Sequence, residues 1–396
     1  MNNNIKRIIM FKGCYDTLDI MTERLAEGFT EIGYEVLLVD TRSLIEGLSK
    51  VTSFVREGTL GVISFNNLGM NIELTEGKNL WDQLDIPLID ILVDHPFHYH
   101  DALVKAPKKT VVLCIDENHV DYIKRFYPNI LISDFLPHAG TPFNYELKEI
   151  SDRNIDVLYA GSLSGKIVSP EVLNEDRYSH INIPELWNYV MSYIGIHSEC
   201  TTEYVIEKYL SEKNINLPDE ELRVLFSDFR ILDYYVVSSY RERILKVLVE
   251  AGIDVTIYGS GWDKCDWISA ENCHVMGLVG VEELIPQMYD SKIVLNTMTW
   301  FKKGSHERIP NGMMAGAIVI SDRSSYVDSN FIDGKNIVTF SLDDIETLPN
   351  RVREILSNID QFTSVAQNGY DHAINNETWK KRAVDIDRCL FAPMLQ

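Results

Sequence analysis

The sequence predicts two α/β domains in tandem, each built on a parallel sheet covered on both faces. Three observations carry this. Strand-like apolar runs alternate with helix-spaced segments through about the first 150 residues. The runs are apolar almost throughout, as strands buried on both faces are. A second series of the same kind begins at IDVLYAG (155–161), after the turn-rich stretch HAGTPFNYELKEISDRN. A length of 396 residues, 45% of them hydrophobic, suits two cores better than one.

IKRIIMF (5–11) is the first strand. In TLDIMTERLAEGFTEIG, Leu18, Met21, Leu25, Phe29 and Ile32 recur on one helix face, and Gly33 suits the position just past that helix. Strands follow at YEVLLVD (34–40), LGVISF (60–65), PLIDILV (87–93), KTVVLCI (109–115) and NILISDF (129–135). The second series continues with IDVTIYG (253–259), CHVMG (273–277), SKIVLN (291–296), GAIVIS (316–321) and NIVTF (336–340). Helix patterns such as VEELIPQMYD and LDDIETLPNRVREIL separate most of them. Between about 170 and 251 the alternation stops. PELWNYVMSYIGI, TTEYVIEKYLSEK and PDEELRVLFSDFRILDYYVV, leading into RERILKVLVEAG, form a helical insertion. The domains are therefore 1–150 and 151–375, with residues 376–396 as a terminal helical segment.

Composition narrows the function classes. A formal net charge of −22 repels phosphate backbones, which argues against a nucleic-acid partner and against broad attraction to anionic membranes. There is no apolar run of about 18 residues for a membrane span. The six cysteines are scattered with no CxxC, the pattern of reduced thiols in a cytoplasmic protein.

The stretch GSHERIPNGMMAGAIVISD (304–322) carries the most specific signal. Pro310 suits a first helical turn and Gly316 the position past its end, which predicts a helix over about 310–315. The N–H groups of Asn311 and Gly312 would then lie free at its start, with Arg308 ahead to pair with a diphosphate and Asn311 toward ribose hydroxyls. The other reading is a salt-bridged loop, with Glu307 and Arg308 paired to neighbours. Two glycine-bearing loops follow strands: YAGSLSG, with Gly161, Ser162 and Gly165, and IYGSGWD, with Gly259 and Gly261. Each suits a close approach of backbone to a ligand, or an ordinary turn. LVDHPFHYH (92–100) follows another strand. Asp94 or His95 can take a proton from a hydroxyl there; His98, His100 and, farther on, His138 are further polar candidates. The histidine spacing matches no zinc pattern, and Asp343–Asp344 sits where carboxylates cap a helix, so no metal is expected.

HERIPNGMMAGAIVISDRSSYV, with IYGSGWD before it and TWKKRA after it, resembles the C-terminal half of group-1 glycosyltransferases, and most of all the bacterial group related to spore-maturation protein CgeB. The likeness runs from about 155 to 385. It implies a GT-B architecture: two Rossmann-like domains facing across a cleft, nucleotide-sugar on the second, acceptor on the first, and a terminal helix returning to the first. It further implies that Arg308 faces the donor diphosphate, with Gly161 and Ser162 across from it. His306 and Glu307 fall near the donor sugar, and Asn311 falls where relatives carry a ribose-binding glutamate. Gly259, Asn296 and Gly312 complete the implied donor set, and Asp94, His95 and Glu307 the catalytic one. The expected reaction is metal-free and cofactor-free transfer of a sugar from a nucleotide diphosphate to an acceptor hydroxyl or other nucleophile. A nucleotide-sugar-binding protein without transferase activity and an epimerase-like enzyme remain the alternatives.

Overall fold

A computed structural model describes residues 6–55, 59–75, 77–163 and 177–394. The chain divides into two compact units, Met1–Thr141 with Asn375–Gln396, and Pro142–Ile374.

In the first unit the strands are β1 (Lys6–Lys12), β2 (Tyr34–Asp40), β3 (Thr59–Phe65), a small antiparallel hairpin of β4 (Glu73–Thr75) and β5 (Lys78–Asn79), β6 (Leu88–Leu92), β7 (Thr110–Cys114) and β8 (Ile132–Phe135). Apart from the hairpin, which the sequence reading did not anticipate, they form one six-stranded sheet in the order β2-β1-β3-β6-β7-β8. Every pairing in that sheet is parallel. β3, β6 and β7 are buried nearly throughout, as a sheet covered on both faces requires. The helix Asp16–Glu31 buries Leu18, Met21, Leu25 and Phe29 against it, and Gly33 ends the turn at φ +93°.

The terminal segment belongs to this unit. Helix Trp379–Ile386 lies against Asp16–Glu31 so closely that a Cβ on Gly28 would sit 2.8 Å from the Lys380 Cα. Beneath it Arg382 and Glu377, 4% and 6% exposed, form an ion pair at 2.5 Å. Arg382 also donates to the carbonyls of Pro137 and His138, so the segment is tied to the end of the sheet.

The second unit has β9 (Ile155–Ala160), β10 (Val255–Tyr258), β11 (Cys273–Gly277), β12 (Ser291–Asn296), β13 (Ile318–Asp322) and β14 (Val338–Phe340). Their order is β11-β10-β9-β12-β13-β14, again all parallel. The chain winds one way from β9 and then the other way from β12, so the sheet has a switch point between these strands, where ligands of such sheets bind. Between β9 and β10 stand the helices Ile183–Ile194, Thr202–Glu212, Asp219–Asp228 and Arg230–Glu250. The last runs unbroken through Ser238 and Ser239, where the sequence patterns suggested two pieces. Ser239 bonds back to the Tyr235 carbonyl at 2.8 Å, which satisfies the hydroxyl without ending the helix.

Candidate active site

At the switch point of the second unit, β9 delivers Tyr159 and then Gly161–Ser162, and β12 delivers Asn296 and Thr297. Arg308, 5% exposed, reaches into this corner. Its Nη1 donates to the Asn296 Oδ1 at 2.6 Å and to the Thr297 carbonyl at 3.4 Å, and its guanidinium lies 5.2 Å from the centre of the Tyr159 ring. Asn296 is fully buried and its amide is held by Ser321 at 2.8 Å, so it fixes the guanidinium and has no free edge of its own. All of these partners are neutral. Among the described residues Arg308 has no ion pair with a carboxylate, which overturns the salt-bridged reading on its side. A buried cation with neutral partners keeps its charge for an anion.

His306 and Glu307 flank it: the His306 Nδ1 lies 2.9 Å from the Glu307 Oε2, and the imidazole packs edge-on to Trp300. Behind them Asp322, 1% exposed, accepts from the Met298 N–H at 2.9 Å while its Oδ2 has no hydrogen-bond partner. Burial pushes its carboxyl up to about 6, against the pull of Lys302 and Arg308.

Arg241, from the long helix Arg230–Glu250, is a residue the sequence reading missed. Its Nη1 donates to the Ser162 carbonyl at 2.6 Å and its guanidinium stacks 4.9 Å from the Trp300 ring centre. Burial pushes its pKa down, and Arg308 pushes the same way. A local window cannot reveal this residue, because its partner Ser162 lies 79 positions before it and Trp300 lies well beyond any local window after it.

The helix of the HERIPNG stretch spans Arg308–Met314, seven residues, and starts two positions earlier than predicted. Gly316 does stand past its end at φ +68°. With the earlier start, the Asn311 N–H is already spent on the Glu307 carbonyl at 3.0 Å, so it is not free. Gly312 packs between strands instead: a Cβ there would meet Val319 at 2.9 Å and Val294 at 3.0 Å.

The two glycine-bearing loops pack on each other. The Gly161 N–H donates to the Tyr258 carbonyl at 2.7 Å, and the Ser162 hydroxyl accepts from the Ser260 N–H at 3.1 Å. Gly259, at φ +139°, leaves no room for a Cβ, which would strike the Gly161 carbonyl; Gly261 does the same for Leu163. Gly165 lies outside the described residues.

In the first unit, Asp94 stands just past β6 with its Oδ2 accepting from the Asn66 amide at 3.0 Å and the Tyr99 hydroxyl at 2.8 Å. Asn66 and the next residue, Asn67, both adopt left-handed backbone, φ +48° and +59°, at the end of β3. That doublet after an apolar strand was the signal available in sequence, since asparagine tolerates this conformation. Asp90, fully buried, accepts from the Asn67 N–H at 2.9 Å, and burial pushes it up to about 7. His95 is 6% exposed, accepts from the Phe97 N–H at 3.1 Å and stacks on that ring; burial holds it neutral, well below the usual histidine range. His100 faces the Tyr127 hydroxyl at 3.1 Å, His98 packs on Phe97, and His138 is buried against Trp379. Among the described residues no three His, Cys, Asp or Glu side chains are grouped to hold a metal ion, and no helix is long and apolar enough to cross a membrane.

Residues 241–388 match a family model described as glycosyl transferase-like. Solved structures match over nearly the whole chain. A sucrose-phosphate synthase from Thermosynechococcus elongatus is 11% identical with a TM-score of 0.53, covering 98% of this chain and 99% of its own. The Anabaena HepE protein in complex with UDP and glucose is 12% identical, TM-score 0.51, over 98% and 100%. An α-glucosyltransferase in complex with UDP and a 13-mer DNA containing an HMU base is 13% identical, TM-score 0.55, over 98% of each chain. No curated protein matches the sequence. The chain has the GT-B fold, and its residues 241–388 are glycosyl transferase-like. The two parallel six-stranded sheets are that fold's, and the matched region opens at Arg241 and contains Arg308.

Proposed function

We propose that the protein transfers a sugar from a nucleoside-diphosphate sugar to an acceptor hydroxyl or other nucleophile, without a metal ion, and that it belongs to the group-1 glycosyltransferases nearest the bacterial CgeB-like group. The observation that supports this most is Arg308: a buried guanidinium, pinned by Asn296 and Tyr159, in no ion pair with a carboxylate among the described residues. A diphosphate supplies the missing charge. Some solved proteins of the same fold are complexes with UDP, which agrees with such a donor.

In the reaction the bond from the sugar's anomeric carbon to the diphosphate oxygen breaks, and the electron pair leaves with the diphosphate. A bond from that carbon to the acceptor oxygen forms, and the acceptor's proton is taken up. Arg308 acts where negative charge grows, so its contribution is larger in the transition state than in the ground state. We assign the proton to Asp94 in preference to His95. Asp94 is a carboxylate held in place by Asn66 and Tyr99, whereas His95 is buried among rings with its Nδ1 occupied. Glu307, beside His306, is assigned to the donor sugar.

The test is acceptor-dependent release of nucleoside diphosphate from UDP-, GDP- and ADP-sugars. Arg308→Met, which keeps the bulk and removes the charge, is expected to lower turnover by about 10²–10³-fold with its melting temperature little changed. Excess EDTA should leave the wild-type rate unaltered. Full turnover in the Arg308 variant, or loss of turnover with EDTA restored by a divalent ion, would refute the reading.

A further inference from the structure

We infer that the helical insertion is part of the donor site, and that Arg241 is a second phosphate-binding residue, delivered by the insertion's last helix and held in place by Trp300. The inference rests on the donor reading above and extends it to a segment that nothing else in the molecule explains.

The insertion is fastened to the loop between β12 and Arg308 at separate points. Arg241 stacks on Trp300 at 4.9 Å, and the Lys302 Nζ donates to the Ser198 carbonyl at 2.5 Å, just past helix Ile183–Ile194. Tyr240, next to Arg241, donates to the Ile194 carbonyl at 2.8 Å, which joins the long helix to the end of the helix that leads into Ser198. Thr202 and Asp233 add a bond between the second and the last helix at 2.7 Å. A domain appended for solubility or partner binding has no need of two contacts to a loop at the switch point, braced by bonds among its own helices.

The second observation concerns charge. Arg241 makes one hydrogen bond, to the neutral Ser162 carbonyl, and its buried Nε has no partner. Among the described residues it has no ion pair with a carboxylate. It lies near enough to Arg308 for the two guanidinium charges to repel. The Glu307 and Asp322 carboxylates offset part of that repulsion without an ion pair to Arg241, and an anion that joins both guanidinium groups offsets more. One phosphate is served by Arg308; a second cation close by, tied to the Ser162 loop, suits the second phosphate of a diphosphate. Stacking on Trp300 fixes the guanidinium plane, so its remaining donors stay aimed in one direction.

The experiment is calorimetric titration of UDP, GDP and ADP, with the matching monophosphates, into the full chain. Arg241→Met keeps the stacked aliphatic bulk; Arg241→Lys keeps the charge and loses the planar fork. Whichever diphosphate the wild type binds should bind Arg241→Met about 10–100-fold more weakly, while its monophosphate changes about twofold or less. Arg241→Lys should fall between, and Trp300→Leu, which leaves the charge but removes the shelf, should weaken the diphosphate alone. Melting temperatures identify any variant that fails to fold, and the lysine variant then carries the test. Equal losses for diphosphate and monophosphate, or no loss for either, would overturn the assignment. If the wild type binds none of the three diphosphates, the donor reading fails first and this inference falls with it, whereas an Arg308-dependent diphosphate site untouched by Arg241 refutes this inference alone.

Discussion

At the scale of single residues, the sites of this enzyme are marked by polar groups that the fold holds at a cost. Asp90 and His95 show it with opposite sign. Burial raises Asp90 to about 7, above its unfolded value, so the folded chain holds that proton more tightly and is favoured at low pH. Stability is then lost as pH rises from about 4 through 7. His95 is lowered, so the folded chain binds its proton more weakly, and its cost appears as pH falls below about 6.5. Asp90→Asn keeps the Oδ1 that receives the Asn67 N–H. It is expected to raise the melting temperature at pH 8 and to change it little at pH 5. An equal shift at both pH values would show that the carboxylate charge is not the source. These groups were half legible in the sequence. Asp94 stands out as a charge just past a strand, and Arg308 with the His306–Glu307 pair as a charged cluster ahead of a proline. Asp90 and Asp322 sit inside apolar runs and read as interruptions until the burial is known.

At the scale of elements, all twelve strands of the two parallel sheets coincide with strand-like runs visible in the sequence, most plainly the inner ones such as β3, β6 and β7, since a strand buried on both faces has no alternative composition. The antiparallel hairpin Glu73–Asn79 escaped notice, since its short strands are mostly exposed and carry no apolar pattern. The helix Arg308–Met314 starts two residues before Pro310, because proline is also tolerated at the third position, where its nitrogen still needs no intrahelical partner. Contacts between distant elements were beyond local reading. The buried Arg382–Glu377 pair, which ties the terminal helix to the first unit, is one. Glu377→Ala leaves Arg382 charged and buried, and is expected to cost about 3–5 kcal/mol of unfolding free energy. Denaturant titration reads this directly; a loss under about 1 kcal/mol, the size of an exposed pair, would show that water reaches the site.

At the scale of the whole molecule, a protein of net charge −22 binds an anionic donor only if a local field reverses the global one. Arg308 and Arg241 are the pair proposed to do so in the second unit, and the sequence could show the first because its motif is contiguous. The second is contributed by an insertion whose role no composition reveals. The central claim is that the donor's phosphates rest on Arg308. It is tested most directly by a crystal structure of the enzyme with a bound nucleoside diphosphate. The account predicts phosphate oxygens within about 3 Å of the Arg308 guanidinium; a nucleotide seated with its phosphates away from Arg308, in either unit, would contradict it.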